Sequence, residues 1–179
     1  MEENILIDED ISLTPFQRSD KENLLRYMND PELYKNTLRI PYPYKEVDAD
    51  EWLSSIEQSL EKYGQTVNWA IRHREAGMIG GIGCFMKTGW EGHNDEIGYW
   101  LAAPFRGQGI MTRVLQIYSD YLLASRPPLV RLEAWVFAHN PASARILEKT
   151  GFQREGYARK LHIKNGEYID AILLARIRE

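Results

Sequence analysis

Residues 96–112 read EIGYWLAAPFRGQGIMT, and the predicted fold is built outward from this stretch. The apolar run 96–101 predicts a strand, and residues 104–112 predict a glycine-containing turn leading into a helix that reaches about Leu123. The first backbone N–H groups of a helix have no partner within the helix, and the helix dipole places partial positive charge there. Glycines allow close backbone approach, and the Arg106 guanidinium offers a fork of donors. The stretch therefore predicts a site for a phosphate-bearing ligand.

The composition is that of an ordinary globular chain. Its 179 residues fit one domain over residues 1–179, and 44% hydrophobic with 27% charged residues exclude a disordered chain. The formal net charge of −4 argues against a dedicated nucleic-acid partner. No apolar run approaches the roughly 20 residues that cross a bilayer, so we expect no membrane partner.

Cysteine, histidine and the first residues bear on location and on metal binding. Cys84 is the only cysteine, so no intrachain disulfide can form and a cytoplasmic location is the default expectation. Residues 1–4 are acidic, unlike the positively charged start of a signal peptide. The four histidines and Cys84 show no metal-ligand spacing, so we predict no metal site.

Strand-like and helix-like apolar patterns alternate along the chain. They predict seven strands, at residues 11–16, 66–73, 78–86, 95–101, 130–137, 152–163 and 168–177. They predict helices after a capping box at residues 19–22, over residues 48–63 with Gly64 as the C-terminal cap, after the glycine turn, and over residues 142–150. Strands interleaved with helices and ending in an Asn165-Gly166 hairpin predict a single-domain, mixed α/β (α+β) sheet.

Gly80, Gly81 and Gly83 lie within one predicted strand and invite comparison with a dinucleotide-binding fingerprint. That motif requires a helix directly after the glycines, and no helical pattern follows here. Close approach of a neighbouring backbone, or a bulge, accounts for these glycines better.

Three further motifs accompany the glycine turn. Glu96-Ile97-Gly98-Tyr99 precedes it, residues 140–145 read NPASAR, and residues 149–152 read KTGF. Together they resemble the GNAT acyltransferase superfamily, with most likeness to its ribosomal-protein (Rim-type) N-acetyltransferase branch. The resemblance implies a GNAT-like, mostly antiparallel seven-stranded sheet with helices on both faces and a splay between strands 4 and 5 that admits the cofactor.

Met111 departs from the family pattern, which has a small residue at this position. It shares an apolar stripe with Val114, Leu115 and Tyr118. We therefore expect its side chain to turn into the core and to leave the helix start accessible.

The resemblance implies acetyl-CoA as the donor substrate. Backbone N–H groups of residues 106–112 would hold its pyrophosphate, and backbone near Trp100 and Leu101 would pair with its pantetheine amides as an added strand does. Asn140 and Ser143 would meet the pantetheine and thioester end. The implied cofactor-binding residues are Trp100, Leu101, Arg106, Gly107, Gln108, Gly109, Ile110, Met111, Thr112, Asn140 and Ser143.

Acetyl transfer to an amine requires a neutral nitrogen, because a protonated amine has no lone pair for attack. Glu96 is the candidate base, acting directly or through a water, and burial is expected to raise its pKa. Ser143 is the candidate acid for the departing thiolate, with Tyr157 as its rival. The structural alternatives are a carboxylate at a strand start, a serine that satisfies helix N–H groups, and an ordinary strand aromatic. Cys84 is expected in the core, which favours direct attack in a ternary complex over an acyl-enzyme.

The sequence does not specify the acceptor amine. A protein N-terminal α-amine is the first expectation, a small-molecule amine (amino acid, polyamine or antibiotic) the second, and a non-catalytic acyl-CoA sensor the third. Residues 31–44 and 88–94 would line the acceptor site through Tyr34, Tyr42, Tyr44 and Trp90. Monomer and homodimer are both compatible with the sequence.

Overall fold

The computed structural model describes residues 4–87 and 92–178. The strands among these residues are β1 (Ile5–Leu6), β2 (Ile11–Pro15), β3 (Asn68–His73), β4 (Gly77–Cys84), β5 (Asn94–Leu101), β6 (Arg131–Phe137), β7 (Gln153–Lys164) and β8 (Glu167–Ile177). The α-helices are α1 (Lys21–Met28), α2 (Pro31–Lys35), α3 (Glu46–Tyr63), α4 (Ile110–Ser125) and α5 (Pro141–Lys149).

The strands form one mixed sheet in the order β1-β2-β3-β4-β5-β6-β8-β7. β5 pairs with β6 in parallel, whereas the β1–β2, β2–β3, β3–β4, β6–β8 and β7–β8 ladders are antiparallel, which confirms the predicted fold class. The described residues contain eight strands instead of seven. The additional strand is β1, whose two residues are too few to show a period and pair with β2 at Leu13 and Ser12.

The described residues group into two compact units. The first contains those of Met1–Cys84 and Tyr99–Ile110, and the second contains those of Phe85–Gly98 and Met111–Glu179. The expectation of a single domain over residues 1–179 stays a prediction.

The core of the first unit forms where α1 and α3 bury one face each. Its buried members are Leu24, Tyr27, Met28, Leu33, Tyr44, Ala49, Leu53, Ala70, Met78, Trp100 and Ala102. Gly64 ends α3 in the left-handed region, with φ of 65°, as predicted. Among residues 4–87 and 92–178, no helix is both long and apolar enough to span a membrane.

The predicted capping box at residues 19–22 is wrong. A 3-10 turn over Arg18–Asp20 precedes α1, and the Asp20 carboxylate accepts the Gln17 N–H at 2.9 Å. Asp20 is buried and also accepts two bonds from Arg72, at 2.9 and 3.0 Å. The buried aspartate, satisfied by a charged partner, therefore organises the turn in place of the exposed Ser19.

Close packing explains the glycines of β4. A Cβ atom added to Gly80 would lie 2.5 Å from the carbonyl oxygen of Trp100, and one added to Gly81 would lie 2.8 Å from the Trp100 indole nitrogen. The interpretation of close backbone approach is confirmed at Gly80.

The second unit contains the C-terminal hairpin and most of α4. Asn165 and Gly166 join β7 to β8 with φ of 51° and 81°, as the Asn-Gly signal predicts. Met111 is buried on α4 together with Val114, Leu115 and Tyr118, which confirms that its side chain turns into the core. Val130, in the predicted strand 130–137, lies one residue before β6 and is 40% exposed.

A fully buried carboxylate fastens the start of β5. Asp95 Oδ2 lies 2.6 Å from Arg126, whose side chain is 14% exposed. Asp95 Oδ1 accepts the N–H groups of Phe85 and Glu96 at 3.1 and 2.9 Å. Arg126 also donates to the Lys87 carbonyl at 3.1 Å. The pair therefore holds the two ends of the chain segment between Phe85 and Glu96.

Removing the charge of Asp95 is expected to destabilise the fold. Asp95→Asn can keep one backbone contact but leaves the Arg126 cation buried without a counter-ion, which costs about 3 kcal/mol of unfolding free energy. Urea denaturation measures the loss. Glu148→Gln is the matched control, because the Glu148–Arg154 pair in the same unit is exposed on both sides and is worth at most about 1 kcal/mol. Equal losses in the two variants would contradict the assignment.

Candidate functional site

The glycine turn of residues 106–109 connects a 3-10 turn over Ala103–Phe105 to α4. Gly107 and Gly109 have φ of 77° and 72°, the left-handed region that favours glycine. Nothing lies within 4 Å of the position that a Gly107 Cβ would occupy. The Arg106 N–H is bonded to the Ala103 carbonyl at 3.3 Å, so the donors that this turn can offer to an anion begin at Gly107.

The Arg106 side chain does not point freely from the turn. Its Nε donates to the Leu101 carbonyl at 2.8 Å, and its Nη2 lies 2.6 Å from Asp30 Oδ2. The second contact is an ion pair and not a well-aligned hydrogen bond. The Arg106 guanidinium, predicted to bind phosphate, therefore already contacts the Leu101 carbonyl and the Asp30 carboxylate.

Trp100 and Leu101, the residues predicted to pair with the pantetheine amides, differ in the contacts of their carbonyl groups. The Trp100 carbonyl packs against Gly80 of β4, and Ala102 donates its N–H to Ile79 on the same strand at 2.8 Å. The Leu101 carbonyl accepts from Arg106. An added strand would therefore meet the Leu101 side of β5, where one acceptor is already used.

The remaining residues of the turn are fixed by short contacts and by burial. The Gln108 amide donates to the Pro104 carbonyl at 3.0 Å. Ile110 and Met111 are buried, and Thr112 is half-buried. Apolar anchoring on one side of the first turn leaves its N–H groups as the polar surface, as expected at a helix start.

Glu96 lies where the parallel ladder ends. β5 pairs Asn94, Asp95 and Glu96 with residues 131–133 of β6, and Ile97 and Gly98 continue β5 beyond the ladder. Glu96 is half-buried, its N–H donates to Asp95, and its carbonyl accepts the Phe85 N–H at 3.2 Å. Both backbone polar groups of the candidate base are therefore hydrogen-bonded.

Asn140 caps α5. Its Oδ1 accepts the Ser143 N–H at 3.2 Å, and Pro141 takes the first helical position. Ser143 is half-buried in the first turn. The Asn140 cap therefore fixes the backbone of the helix turn that carries the Ser143 hydroxyl.

Tyr157 has a partner that sequence reasoning left unassigned. Its hydroxyl donates to Asp170 Oδ2 at 2.7 Å, and the Lys160 N–H donates to Asp170 Oδ1 at 2.7 Å. The hydrogen bond to Asp170 raises the pKa of Tyr157, and the bonds from Tyr157 and Lys160 lower the pKa of Asp170. A bulge between Ala158 and His162, with Lys160 at φ of 54°, brings these groups together.

The predicted acceptor segment is described in part. The Tyr34 and Tyr42 rings lie 5.5 Å apart at 35°. Tyr44, predicted to line the site, is instead a buried core residue, and burial raises its pKa to about 12. Trp90 lies outside the described residues.

Neither a reactive thiol nor a metal site is found among the described residues. Cys84 is buried as predicted for a small core residue. Within residues 4–87 and 92–178, no group of three or more histidine, cysteine, aspartate or glutamate side chains is arranged to hold a metal ion.

The chain resembles known acetyltransferases in sequence. Over residues 10–153 the chain matches the acetyltransferase (GNAT) domain family. It is 43% identical over 123 residues to the probable N-acetyltransferase YjcK of Bacillus subtilis (strain 168), covering 69% of this chain and 67% of the relative. It is 23% identical over 164 residues to the L-amino acid N-acetyltransferase AaaT of Escherichia coli (strain K12), covering 89% and 93%.

Structural likeness extends over nearly the whole chain. A solved structure of RimL, the ribosomal L7/L12 alpha-N-protein acetyltransferase, in complex with coenzyme A superposes with a TM-score of 0.85, 24% identity and 98% coverage of both chains. Ribosomal-protein acetyltransferases of Escherichia coli are also among the relatives, which confirms the likeness to the Rim-type branch. The chain belongs to the GNAT acetyltransferase family.

Proposed function

We propose that this protein transfers an acetyl group from acetyl-CoA to a primary amine, most simply a protein N-terminal α-amine. The observation that carries the proposal is the left-handed Gly107 and Gly109 turn at the start of α4, within a GNAT acetyltransferase domain. The turn offers backbone N–H groups at the N-terminus of α4, where a helix attracts anions. This suits the pyrophosphate of acetyl-CoA.

The proposed donor site assigns one role to each part of the chain. N–H groups from Gly107 to Thr112 bind pyrophosphate, while Gln108 and the apolar anchors Ile110 and Met111 hold the turn in shape. The Leu101 side of β5 accepts the pantetheine chain by strand addition. Asn140 fixes the start of α5, so that Ser143 addresses the thioester.

The proposed reaction is direct attack in a ternary complex. The neutral amine nitrogen bonds to the thioester carbonyl carbon, and the carbonyl oxygen becomes an oxyanion that backbone N–H groups stabilise. The C–S bond then breaks, the amine proton passes to Glu96 or to a water that Glu96 holds, and the thiolate accepts a hydrogen bond from Ser143 or Tyr157. The protein positions the two substrates and supplies a base and a hydrogen-bond donor for the thiolate, and the thioester supplies the activated acetyl group.

Two acceptor classes are supported by different relatives. RimL acts on a ribosomal protein and AaaT on L-amino acids. We place the protein N-terminus first because of the likeness to the Rim-type branch, and the free amino acid second because AaaT aligns over most of both chains. A cytoplasmic location is part of the proposal and rests on the single, buried Cys84.

Acetyl-CoA binding and turnover test the proposed function. Calorimetry is expected to give saturable binding of acetyl-CoA, and release of free thiol is expected with peptides of varied N-termini or with amino acids. Thiol release with peptides alone would favour the first acceptor class, and release with amino acids alone the second. Binding without any turnover would support an acyl-CoA sensor, and no binding would overturn the donor assignment.

Glu96→Gln tests the base. An α-amine has a pKa of about 7.7–8.0, so the need for a base is greatest below that range and falls as the amine deprotonates by itself. The variant is therefore expected to lose about 100-fold in kcat/KM at low pH and much less at high pH, with little change in acetyl-CoA affinity. A parallel loss at every pH would instead indicate a positioning role for Glu96.

Asp170→Asn tests the pKa of Tyr157, the alternative to Ser143 as the group that stabilises the thiolate. Asp170 holds the pKa of Tyr157 above its usual value through their hydrogen bond, so its neutralisation is expected to return that pKa toward about 10. Ultraviolet difference titration of tyrosinate measures the shift, with Tyr157→Phe identifying the signal. An unchanged titration would show that the bond is absent in solution.

A further inference from the structure

The α1–α2 junction and the glycine turn are joined through one pair of side chains. Asp30 and Arg106 approach to 2.6 Å, and the Asp30 side chain is only 16% exposed. The second oxygen of Asp30, Oδ1, caps α2 by accepting the Glu32 N–H at 2.9 Å. Oδ1 of Asp30 therefore caps α2, and Oδ2 pairs with Arg106 of the turn.

Arg106 divides its donors in the same way. Nε donates to the Leu101 carbonyl at the end of β5, and Nη2 meets Asp30. The neighbouring Phe105 ring packs edge-to-face against Tyr27 of α1, with centroids 6.1 Å apart. Two consecutive residues of the turn region are thus fastened to the end of α1 and the start of α2.

The segment that begins at this junction is closed on itself. The Asn29 amide donates to the Tyr44 carbonyl at 2.9 Å, and Asn29 Oδ1 accepts the Tyr44 N–H at 2.8 Å. Asn29 therefore clamps residues 30–43 into a loop whose two ends meet. The next residue, Asp30, ties the base of that loop to Arg106.

We propose that Arg106 is a positioning residue which, through Asp30, couples occupancy of the glycine turn to the conformation of residues 30–44. This inference rests on the proposed function, since that function assigns the turn to the donor. It takes residues 31–44, which the sequence predicts to line the acceptor site, as the acceptor side. Pyrophosphate is then bound by backbone N–H groups from Gly107 onward, and the guanidinium keeps its carboxylate. Turning Arg106 towards phosphate would leave the largely buried Asp30 without its cation, which is unfavourable.

The coupling makes residues 30–44 sensitive to the donor before any acceptor binds. Anchoring the turn on pyrophosphate restricts Arg106, Arg106 restricts Asp30, and Asp30 holds the first turn of α2. Coupling between sites is reciprocal in binding free energy, so an ordered acceptor loop also favours donor binding.

The test uses acetyl-CoA as the probe and four variants of the full chain. Hydrogen exchange of residues 30–44 is expected to slow when acetyl-CoA is added to the native protein, and this protection is expected to disappear in Asp30→Asn and in Arg106→Gln. By calorimetry, Asp30→Asn, Arg106→Gln and the double variant are expected to weaken acetyl-CoA by the same factor, about fivefold, because all three break one contact. Arg106→Lys keeps the charge and is expected to restore part of the protection.

The matched control is a second aspartate–arginine pair in the same unit. Asp10 and Arg74 lie 3.3 Å apart, and both side chains are more than half exposed. Asp10→Asn removes the same charge as Asp30→Asn and is expected to change neither acetyl-CoA affinity nor the protection of residues 30–44. Thermal unfolding of each variant identifies any that fail to fold.

Two results would overturn the inference. Weaker acetyl-CoA binding in Arg106→Gln with unchanged or tighter binding in Asp30→Asn would make Arg106 a direct phosphate ligand that Asp30 restrains. Protection of residues 30–44 that persists in both variants would show that the pair carries no coupling. Failure of the native protein to bind acetyl-CoA would instead contradict the proposed function.

Discussion

The parallel ladder between β5 and β6 ends after three residue pairs. The contacts of Asp95 and Arg126 in the second unit stabilise β5 next to this point. Backbone N–H and carbonyl groups need partners, so a strand that leaves its neighbour must be fixed at the point of departure. Asp95, one residue before that point, accepts two backbone N–H groups with one oxygen and pairs with Arg126 through the other. The position of Glu96 is therefore set by the buried ion pair of the preceding residue.

The same use of aspartate recurs at three other places in residues 4–87 and 92–178. In each, a backbone N–H and a side-chain donor are held by one short carboxylate: Gln17 N–H and Arg72 at Asp20, Glu32 N–H and Arg106 at Asp30, Lys160 N–H and Tyr157 at Asp170. Aspartate suits this task because two oxygens lie close to the backbone on a side chain with few rotamers. Each carboxylate joins a backbone N–H group to a side chain from another part of the chain.

Local signals in the sequence were sufficient for most of the elements and for several caps, but not for the two-residue β1 or for the turn before α1. Alternating apolar residues located the strands from β2 to β8, Gly64 and Asn140 marked helix ends, and Asn165-Gly166 marked the hairpin, because each depends on the conformation of only a few neighbouring residues. The joints were not predictable in this way. Asp30 and Arg106 are separated by 76 positions (106 − 30), and Asp95 and Arg126 by 31. No periodicity couples such residues, and the bulge that brings Lys160 to Asp170 shifts the register on which an alternation argument depends.

The state of Tyr157 bears on how the thiolate would leave. A thiol has a pKa of about 8.5, and a tyrosine held above about 10 by a carboxylate is a weaker acid than the thiol it would protonate. Full proton transfer from Tyr157 would therefore run uphill and would abandon the bond to Asp170. The Ser143 hydroxyl is a still weaker acid, so it too would contribute a hydrogen bond in place of a proton. Either donor lowers the energy of the departing sulfur by stabilising its charge, and solvent can deliver the proton afterwards. On this reasoning the position of the donor relative to the sulfur matters more than its acidity, and a helix start fixed by Asn140 provides that position more rigidly than a 59% exposed tyrosine on a bulged strand.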